Sequence, residues 1–421
     1  MTNTQSSRFL SRVGIAASFS FAPTIVLLHM KQLICGLICL VFLGQLSAQR
    51  ETESDEAPLG TTSKGVRFQK DSLFLVNMRF RMQNRFFYES EDGLNLQPAN
   101  LGFLVRRLRF RFDGYLFSPK LAYYIQLSFS RNDLGLAGGT VAEPIRDAMI
   151  YYHFSPNFYI GFGQSKLPGN RQRVVSSGNL QLPERSPVNN LLTLDRDVGA
   201  FFYATLPAGK QVFRLKGAIS SGEGRNALPR DAGLAYTLRA EWLPFGSFKN
   251  SGDYSEGDLE WEKKPKLSIS AGGHFNQWAI RQAGTHGLDM SSPTDFQAIL
   301  VDLAFKYKGW SIMSEGIYKT GTLPTNSAIL PILGQGIMIQ AGKMVSKKTE
   351  LVARWAQFMP LASVAIQYPQ RSQTGIGLNW YIQGHRIKSQ VFMGYEQSGS
   401  RWDLSQPGNN WMGQFQVEFG I

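Results

Sequence analysis

Arg79, Arg81 and Arg85 sit at odd-numbered positions in one short stretch, and Arg107, Arg109 and Arg111 repeat the pattern in the next. A guanidinium presents a flat fork of donors that matches the oxygens of phosphate, and it keeps its charge at every physiological pH. One strong site would trap an anion, whereas several of similar strength let it step onward, so these six arginines have the makings of an anion ladder. Lys166, Arg171, Arg173, Arg185 and Arg196 add cations along a single connecting segment, against Glu184 and Asp195, and Arg214 and Lys216 add two more farther on. Asp113 and Asp147 stand among these cations. Each is either one half of a structural salt bridge or an acceptor for the proton of a hydrogen phosphate, a proton that sulfate lacks at neutral pH.

What must position these side chains is legible in the residues between them. Phe74, Val76, Met78, Phe80 and Met82 alternate with Asn77, Arg79, Arg81 and Gln83, and Leu108, Phe110 and Phe112 alternate with Arg107, Arg109, Arg111 and Asp113. A period of two belongs to a β-strand with one apolar and one polar face. In a soluble sandwich the arginines would face water on the outside; in a barrel with lipid outside they must point into the lumen. Composition favours the second arrangement. The 421 residues include only 18% charged and 12% aromatic residues, with 42 glycines, which is unusual for a soluble chain. A mean hydropathy of −0.17 excludes a helical membrane bundle, because each spanning helix needs about 20 mainly apolar residues.

Connection lengths separate sandwich from barrel. Tight turns fall at 118–120, 155–157, 207–210, 307–309, 345–348 and 383–386. Longer polar connections lie between them at 88–102, 132–144, 165–196, 221–233, 276–295, 320–335, 359–372 and 398–410. Short turns on one side and long loops on the other mark an outer-membrane barrel. The expected fold is therefore all-β: a transmembrane antiparallel β-barrel of sixteen strands over 71–421, with short periplasmic turns and long extracellular loops. The strands are expected near 72–87, 103–117, 121–131, 145–154, 158–164, 197–206, 211–220, 234–243, 266–275, 296–306, 310–319, 336–344, 349–358, 373–383, 386–397 and 411–421. One more split hairpin would make eighteen.

Three segments depart from the simple alternation. The acidic stretch 245–262 interrupts the short turns and reads as a periplasmic insertion. Connection 165–196 is too long for a plain hairpin loop; it either folds inward as a constriction loop carrying its cations to the narrowest point, or lies outside as a lid. The uncharged run Thr320–Gly342 resembles a membrane helix only at first, since Pro324, Pro331 and four glycines oppose one.

The N-terminus addresses the chain. Met30-Lys31, the apolar run from Leu33 to Leu43 and Leu46-Ser47-Ala48 read as a signal peptide at 30–48, cleaved near Ala48. Residues 1–29 precede this complete signal and read as a misassigned start or an extended leader, and 49–70 as a periplasmic N-terminal segment. Cleavage removes both cysteines, Cys35 and Cys39, so barrel closure must supply the stability that disulfides would give an exported chain. The expected location is the outer membrane of a Gram-negative bacterium. Trp411, Gly413, Phe415, Val417, Phe419 and Ile421 share one face and resemble the terminal strand by which such barrels are recognised for assembly, so the chain is expected to be complete at Ile421.

Other functions find little support. A barrel hydrolase needs a serine, a histidine and an orienting group together, and His153, His274, His286 and His385 lack any motif context. No phosphate-loop motif and no cysteine or histidine cluster of metal-site spacing occurs, so no catalytic residue, cofactor or metal is expected. The net charge of +13 alternates with aromatic residues instead of forming a solvent-facing patch, which argues against nucleic acid.

Several segments carry a resemblance. Arg106-Arg107-Leu108-Arg109-Phe110-Arg111-Phe112-Asp113-Gly114, Gly163-Gln164-Ser165-Lys166-Leu167-Pro168-Gly169-Asn170, Ser176-Ser177-Gly178-Asn179-Leu180 with Glu184-Arg185-Ser186, Asp195-Arg196-Asp197-Val198-Gly199 and Ser221-Gly222-Glu223-Gly224-Arg225-Asn226 resemble the phosphate-selective porin O and P family. The motifs concentrate in 100–230, and the later half is similar in pattern more than in residues. The resemblance implies a sixteen-stranded homotrimeric porin, a folded-in third loop, and an arginine- and lysine-lined lumen that conducts phosphate-like anions. The expected function is passive, anion-selective passage of phosphate or polyphosphate. A general anion porin and a non-conducting structural or adhesive barrel are the alternatives. Because Arg109 and Arg111 are expected to face an aqueous lumen, replacing both with glutamine is expected to leave folding intact.

Overall fold

The computed structural model describes residues 61–62, 65–131, 133–134, 142–228, 233–325, 327–399 and 408–421. The expected leader at 1–29 and signal peptide at 30–48 lie outside the described residues. The strands are β1 (Thr61–Thr62), β2 (Gly65–Lys70), β3 (Phe74–Ser90), β4 (Pro98–Leu116), β5 (Ser118–Ser128) and β6 (Ile145–Ser155). They continue with β7 (Phe158–Lys166), β8 (Arg196–Ala208), β9 (Gln211–Ser220), β10 (Ala235–Leu243), β11 (Lys266–Arg281) and β12 (Asp289–Tyr307). The last six are β13 (Trp310–Gly321), β14 (Gly334–Met344), β15 (Thr349–Pro360), β16 (Arg371–Gln383), β17 (Ile387–Ser398) and β18 (Asn410–Gly420).

From β3 onward each strand pairs antiparallel with the next, and β18 returns to β3 in a register from Gly420↔Arg81 to Met412↔Glu89. That pairing closes a ring of sixteen. Closure pairs the backbone of every strand on both sides, as a hydrocarbon surround demands. The two remaining strands form a small hairpin outside the ring: β2 lies along Phe74–Met78 of β3, beyond the point where β18 ends. Eight connections of one end alternate with short turns at the other, and the hairpins β3–β4 and β11–β12 run further than the apolar pattern suggested. Ladder hydrogen bonds join backbone to backbone, so polar side chains beyond the lipid zone do not end them. No helix among the described residues is long and apolar enough to cross a membrane.

A β-bulge settles which face β4 shows. Gln83 pairs with Arg107 and Asn84 with Val105, leaving Arg106 as an extra residue. Such an insertion puts two successive side chains on one face and shifts the alternation. Leu101, Phe103 and Val105 point outward above the bulge, Phe103 with 85% of its surface exposed, and Leu108, Phe110 and Phe112 do so below it. Phe110 packs against Phe80 at 5.2 Å and Phe129 at 5.8 Å on this outer face. Phe110→Arg is accordingly expected to cost about 2–4 kcal/mol if it lies near the bilayer midplane. Refolding into lipid vesicles, followed by the heat-dependent gel shift of folded barrels, checks this; insertion at the wild-type yield would mean the faces are reversed.

The core of the molecule lies inside the ring. Segment 167–195 contains two short helices, α1 (Arg171–Val174) and α2 (Pro187–Leu192), the second capped by Ser186, whose hydroxyl accepts from the Asn189 amide at 3.2 Å. Leu167, Val188, Leu192 and Leu194 are buried against Leu300, Met313, Ile317, Met338 and Phe358 from strands β12 to β15. Burying each such side chain contributes about 1.5–3 kcal/mol. The wall makes room for the loop: a Cβ on Gly336 would lie 2.6 Å from Val188, and one on Gly377 would lie 2.4 Å from Leu182. The long connection is thus an inward-folded loop and not an external lid.

The stretch between β10 and β11 also turns inward. Its position among the short turns had suggested a periplasmic insertion, but Asp253, Glu256, Asp258 and Glu262 are buried within the barrel. The Glu256 amide donates to the Asn179 carbonyl at 2.9 Å, and Glu256 Oε2 accepts from the Gln181 amide at 2.8 Å, so the insertion meets the tip of the loop. A buried carboxylate demands such partners, and the loop supplies them.

Candidate anion pathway

Two groups of cations emerge, divided by whether they hold the loop and insertion or line an open cavity. Arg85 and Arg107 are buried and, with the bulged Arg106, converge on Glu184 of the loop: Arg85 Nη1 lies at 2.7 Å and Arg107 Nη2 at 3.0 Å. Burial pushes the Glu184 carboxyl up, but three guanidiniums together outweigh it and hold the group well below the usual carboxylate range. Arg171, on α1, is fully buried and bonds Asp302 at 2.7 Å, Ser268 at 2.8 Å and Ser270 at 2.7 Å. Arg239 reaches the same Asp302 at 2.6 Å. Arg185 donates to the Gln172 and Val175 carbonyls, and Arg173 pairs with Asp195. Arg214 and Lys216 are taken up by Glu241, with Asp253 and Tyr254 of the insertion closing over them.

These seven residues, Arg85, Arg107, Arg171, Arg173, Arg185, Arg214 and Lys216, were expected to line the pore. The structure uses them as tethers for the loop and insertion. Taking charges out of water is expensive, so each is matched to a carboxylate or to carbonyls.

The other six expected residues, Arg79, Arg81, Arg109, Arg111, Lys166 and Arg196, surround one cavity of about 490 Å³ between strands β3–β8, the loop tip at Ser176–Asn179, and Tyr254. Arg386 joins them, and Asp147 and Glu418 are the carboxylates on the same surface. Seven basic and two acidic side chains thus line the cavity, with Asp113, Asp133 and Asp195 paired behind Arg79, Arg111, Arg109 and Arg196. Arg81 donates to Ser177 Oγ at 2.8 Å and Ser176 Oγ at 3.2 Å. Arg111 lies 2.8 Å from Asp113 and over the Tyr124 ring at 4.5 Å, with 34% of its side chain exposed. Lys166 Nζ donates to the Val174 and Val175 carbonyls. The tip at Gly178 lies against the ends of the Arg81 and Glu418 side chains, where a Cβ would come within 2.0 and 2.9 Å of them.

Arg109 differs from the sequence expectation. It is buried and grips Asp133 at 2.8 and 2.5 Å and Ser177 at 2.9 Å, so glutamine there removes one of the two guanidiniums on a buried carboxylate, which keeps Arg146 at 3.1 Å and Ser128 at 2.7 Å, and is expected to cost stability instead of leaving folding untouched. Arg111→Gln carries no such penalty. Asp147 is bonded through both oxygens by Arg196, at 3.0 and 3.1 Å, and Asp113 is shared by Arg79, Arg111 and Asn77. Both acids are therefore engaged as wall salt bridges.

Sequence reasoning passed over Arg106, Asp133, Arg146, Tyr254, Lys388 and Arg386. Lys388, wholly buried on β17, donates to the Gly178 and Leu180 carbonyls at 3.0 and 2.6 Å and holds the loop tip from the far side. A lone lysine in an otherwise ordinary strand gives no sign of this. The apolar inward residues of β12 to β15 did carry a signal: alternation fails there because a loop covers the wall.

Residues 76–258 match the family described as phosphate-selective porin O and P. No curated protein sequence matches the chain. Solved structures do. OmpT of Vibrio cholerae is 10% identical, with 84% of this chain and 100% of that one covered and a TM-score of 0.53. The outer membrane channel DcaP of Acinetobacter baumannii is 11% identical, covering 84% of this chain and 99% of that one, at 0.52. OprB of Pseudomonas putida is 8% identical, covering 82% and 94%, at 0.50. At such identities the likeness is one of fold. Family match over 76–258 and closed sixteen-stranded barrel together make this chain an outer-membrane porin, similar over that span to the phosphate-selective porin O and P family.

Proposed function

We propose that the protein is an anion-selective porin through which phosphate or polyphosphate diffuses passively along the cationic side of its lumen. The observation that carries this is the lining of the cavity, seven basic side chains against two acidic ones, with Arg79, Arg81 and Arg111 only partly buried on neighbouring strands. Guanidiniums spaced along adjacent strands offer an anion successive sites of similar strength, which favours passage over capture. The opposite wall is covered by loop and insertion, so an ion is confined to the arginine side. A homotrimer belongs to the proposal; a Vibrio cholerae OmpT structure is described as a trimer form. Cleavage of the signal near Ala48 belongs to it as well.

A general anion porin would pass chloride without favouring phosphate. The two differ in whether phosphate blocks chloride current through single channels in a planar bilayer. Block by phosphate at lower concentration than by sulfate is expected, and Arg81→Gln with Arg111→Gln is expected to weaken it. Each lost charge-assisted bond is worth about 1.5–3 kcal/mol before water compensates. Equal block by sulfate and phosphate would favour the general porin, and no conductance at all would favour a structural barrel.

A further inference from the structure

A row of tyrosines runs from the cationic cavity along the wall, and cation stacking accounts for only part of it: Tyr124 lies under Arg111 and Tyr254 under Lys216, whereas Tyr151, Tyr159 and Tyr203 pack on one another. Tyr124, Tyr151 and Tyr254 line the cavity itself. From Tyr151 the row continues to Tyr159 at 5.9 Å and Tyr203 at 6.4 Å. Tyr159 and Tyr203 stack at 4.6 Å with 15° between their planes, and His153 stacks on Tyr159 at 4.7 Å. All are half-buried and inward, since their strand neighbours Ile150, Tyr152, Phe158 and Ile160 are the exposed, outward residues. Tyr159 is cross-strand neighbour to both His153 and Tyr203, so the row follows the wall toward the β6–β7 and β8–β9 turns.

An aromatic face carries negative charge density, so it repels a bare anion, while it stacks well on a flat organic group. Tyr124 steadies the Arg111 guanidinium, but a pathway serving inorganic phosphate alone would gain nothing from the faces of Tyr151 and its neighbours. The volume points the same way. At about 490 Å³ the cavity falls within the range of pockets that hold drug-sized molecules, about 300–1,000 Å³, and far exceeds what a five-atom oxyanion fills. The tyrosines also pack on the lumen core, as Tyr124, Tyr151 and Tyr203 do, but Tyr124 and Tyr151 present a cavity surface as well, which packing alone does not call for.

Building on the anion-channel reading above, we infer that the preferred cargo is a phosphate ester whose organic part has a flat face, an aryl or nucleobase type of group, with the phosphate held by Arg81 and Arg111 and the ring against Tyr151 and its neighbours. The test compares two probes of equal charge, phenyl phosphate and methyl phosphate, with inorganic phosphate alongside, as blockers of chloride current through the whole protein. Phenyl phosphate is expected to half-block at about one-fifth the concentration of methyl phosphate, the size of effect that one stacking contact supplies. Tyr151→Leu with Tyr159→Leu should bring that ratio toward one, and Tyr151→Phe with Tyr159→Phe should restore it. A ratio near one in the unmodified channel overturns the inference by itself, whether or not the variants fold. A fivefold ratio that survives the leucine replacements overturns it too. In either case, block by inorganic phosphate leaves the channel reading standing; if inorganic phosphate also fails to block, that reading has failed and takes the inference with it.

Discussion

Trypsin is expected to cut the inward loop of Glu184→Ala at Arg185, next to the lost carboxylate, while sparing the same bond in the unmodified protein. Glu184 is the one carboxylate on which Arg85, Arg106 and Arg107 converge. Its loss leaves three guanidiniums in a confined space with no counter-charge, although Arg85 keeps Gln416 at 2.6 Å and Arg107 keeps Gln83 at 2.8 Å. Breaking a buried ion pair from one side costs about 3–5 kcal/mol, and the low end applies because a quarter of the Glu184 side chain meets water. The barrel ladder contains no bond to Glu184, so the ring should persist while the loop loosens. The pH dependence has a definite sign. The carboxyl is depressed in the folded state, so its contribution is complete above the ordinary glutamate value and disappears only as pH falls through the depressed one. The unmodified loop should therefore remain protected at pH 5. Equal protection of the variant at neutral pH would show that the triple ion pair is not what docks the loop.

A larger loss is expected from Asp302→Ala. Asp302 on β12 receives Arg171 of the loop at 2.7 Å and Arg239 of β10 at 2.6 and 3.0 Å, and all three side chains are 1% exposed. Alanine leaves two buried cations, only one of which retains a second carboxylate, Glu241 at 2.7 Å from Arg239. The upper part of the 3–5 kcal/mol range applies, about 5 kcal/mol. Asp302→Asn keeps an acceptor of the same shape and should recover part of it. Denaturant midpoints in detergent measure both. An alanine variant that unfolds at the wild-type midpoint would mean that the triad is not a tether.

The strands were legible because lipid imposes a strict rule: every second residue must be apolar, as Phe74 to Met82 and Leu108 to Phe112 are. The sixteen expected strands match the ring, and turn chemistry marked the short end. The bulge at Arg106 was hidden, since an extra residue next to an arginine looks like one more arginine. Cations in the lumen were legible, but not which of them reach the ion. Alternation places Arg107 and Arg111 on the same face, yet Glu184 arrives from far along the chain to bury one and not the other. The inward turn of 248–262 was equally invisible, because acidic residues suit water as well as they suit buried arginines.

The central claim is that the open side of the lumen selects anions, and the reversal potential in a planar bilayer under a tenfold KCl gradient tests it most directly. Zero current is expected at a potential near that of chloride equilibrium, shifting toward zero when Arg79, Arg81 and Arg111 are all replaced by glutamine. A reversal potential on the potassium side in the unmodified protein would contradict the account, whatever the channel's conductance.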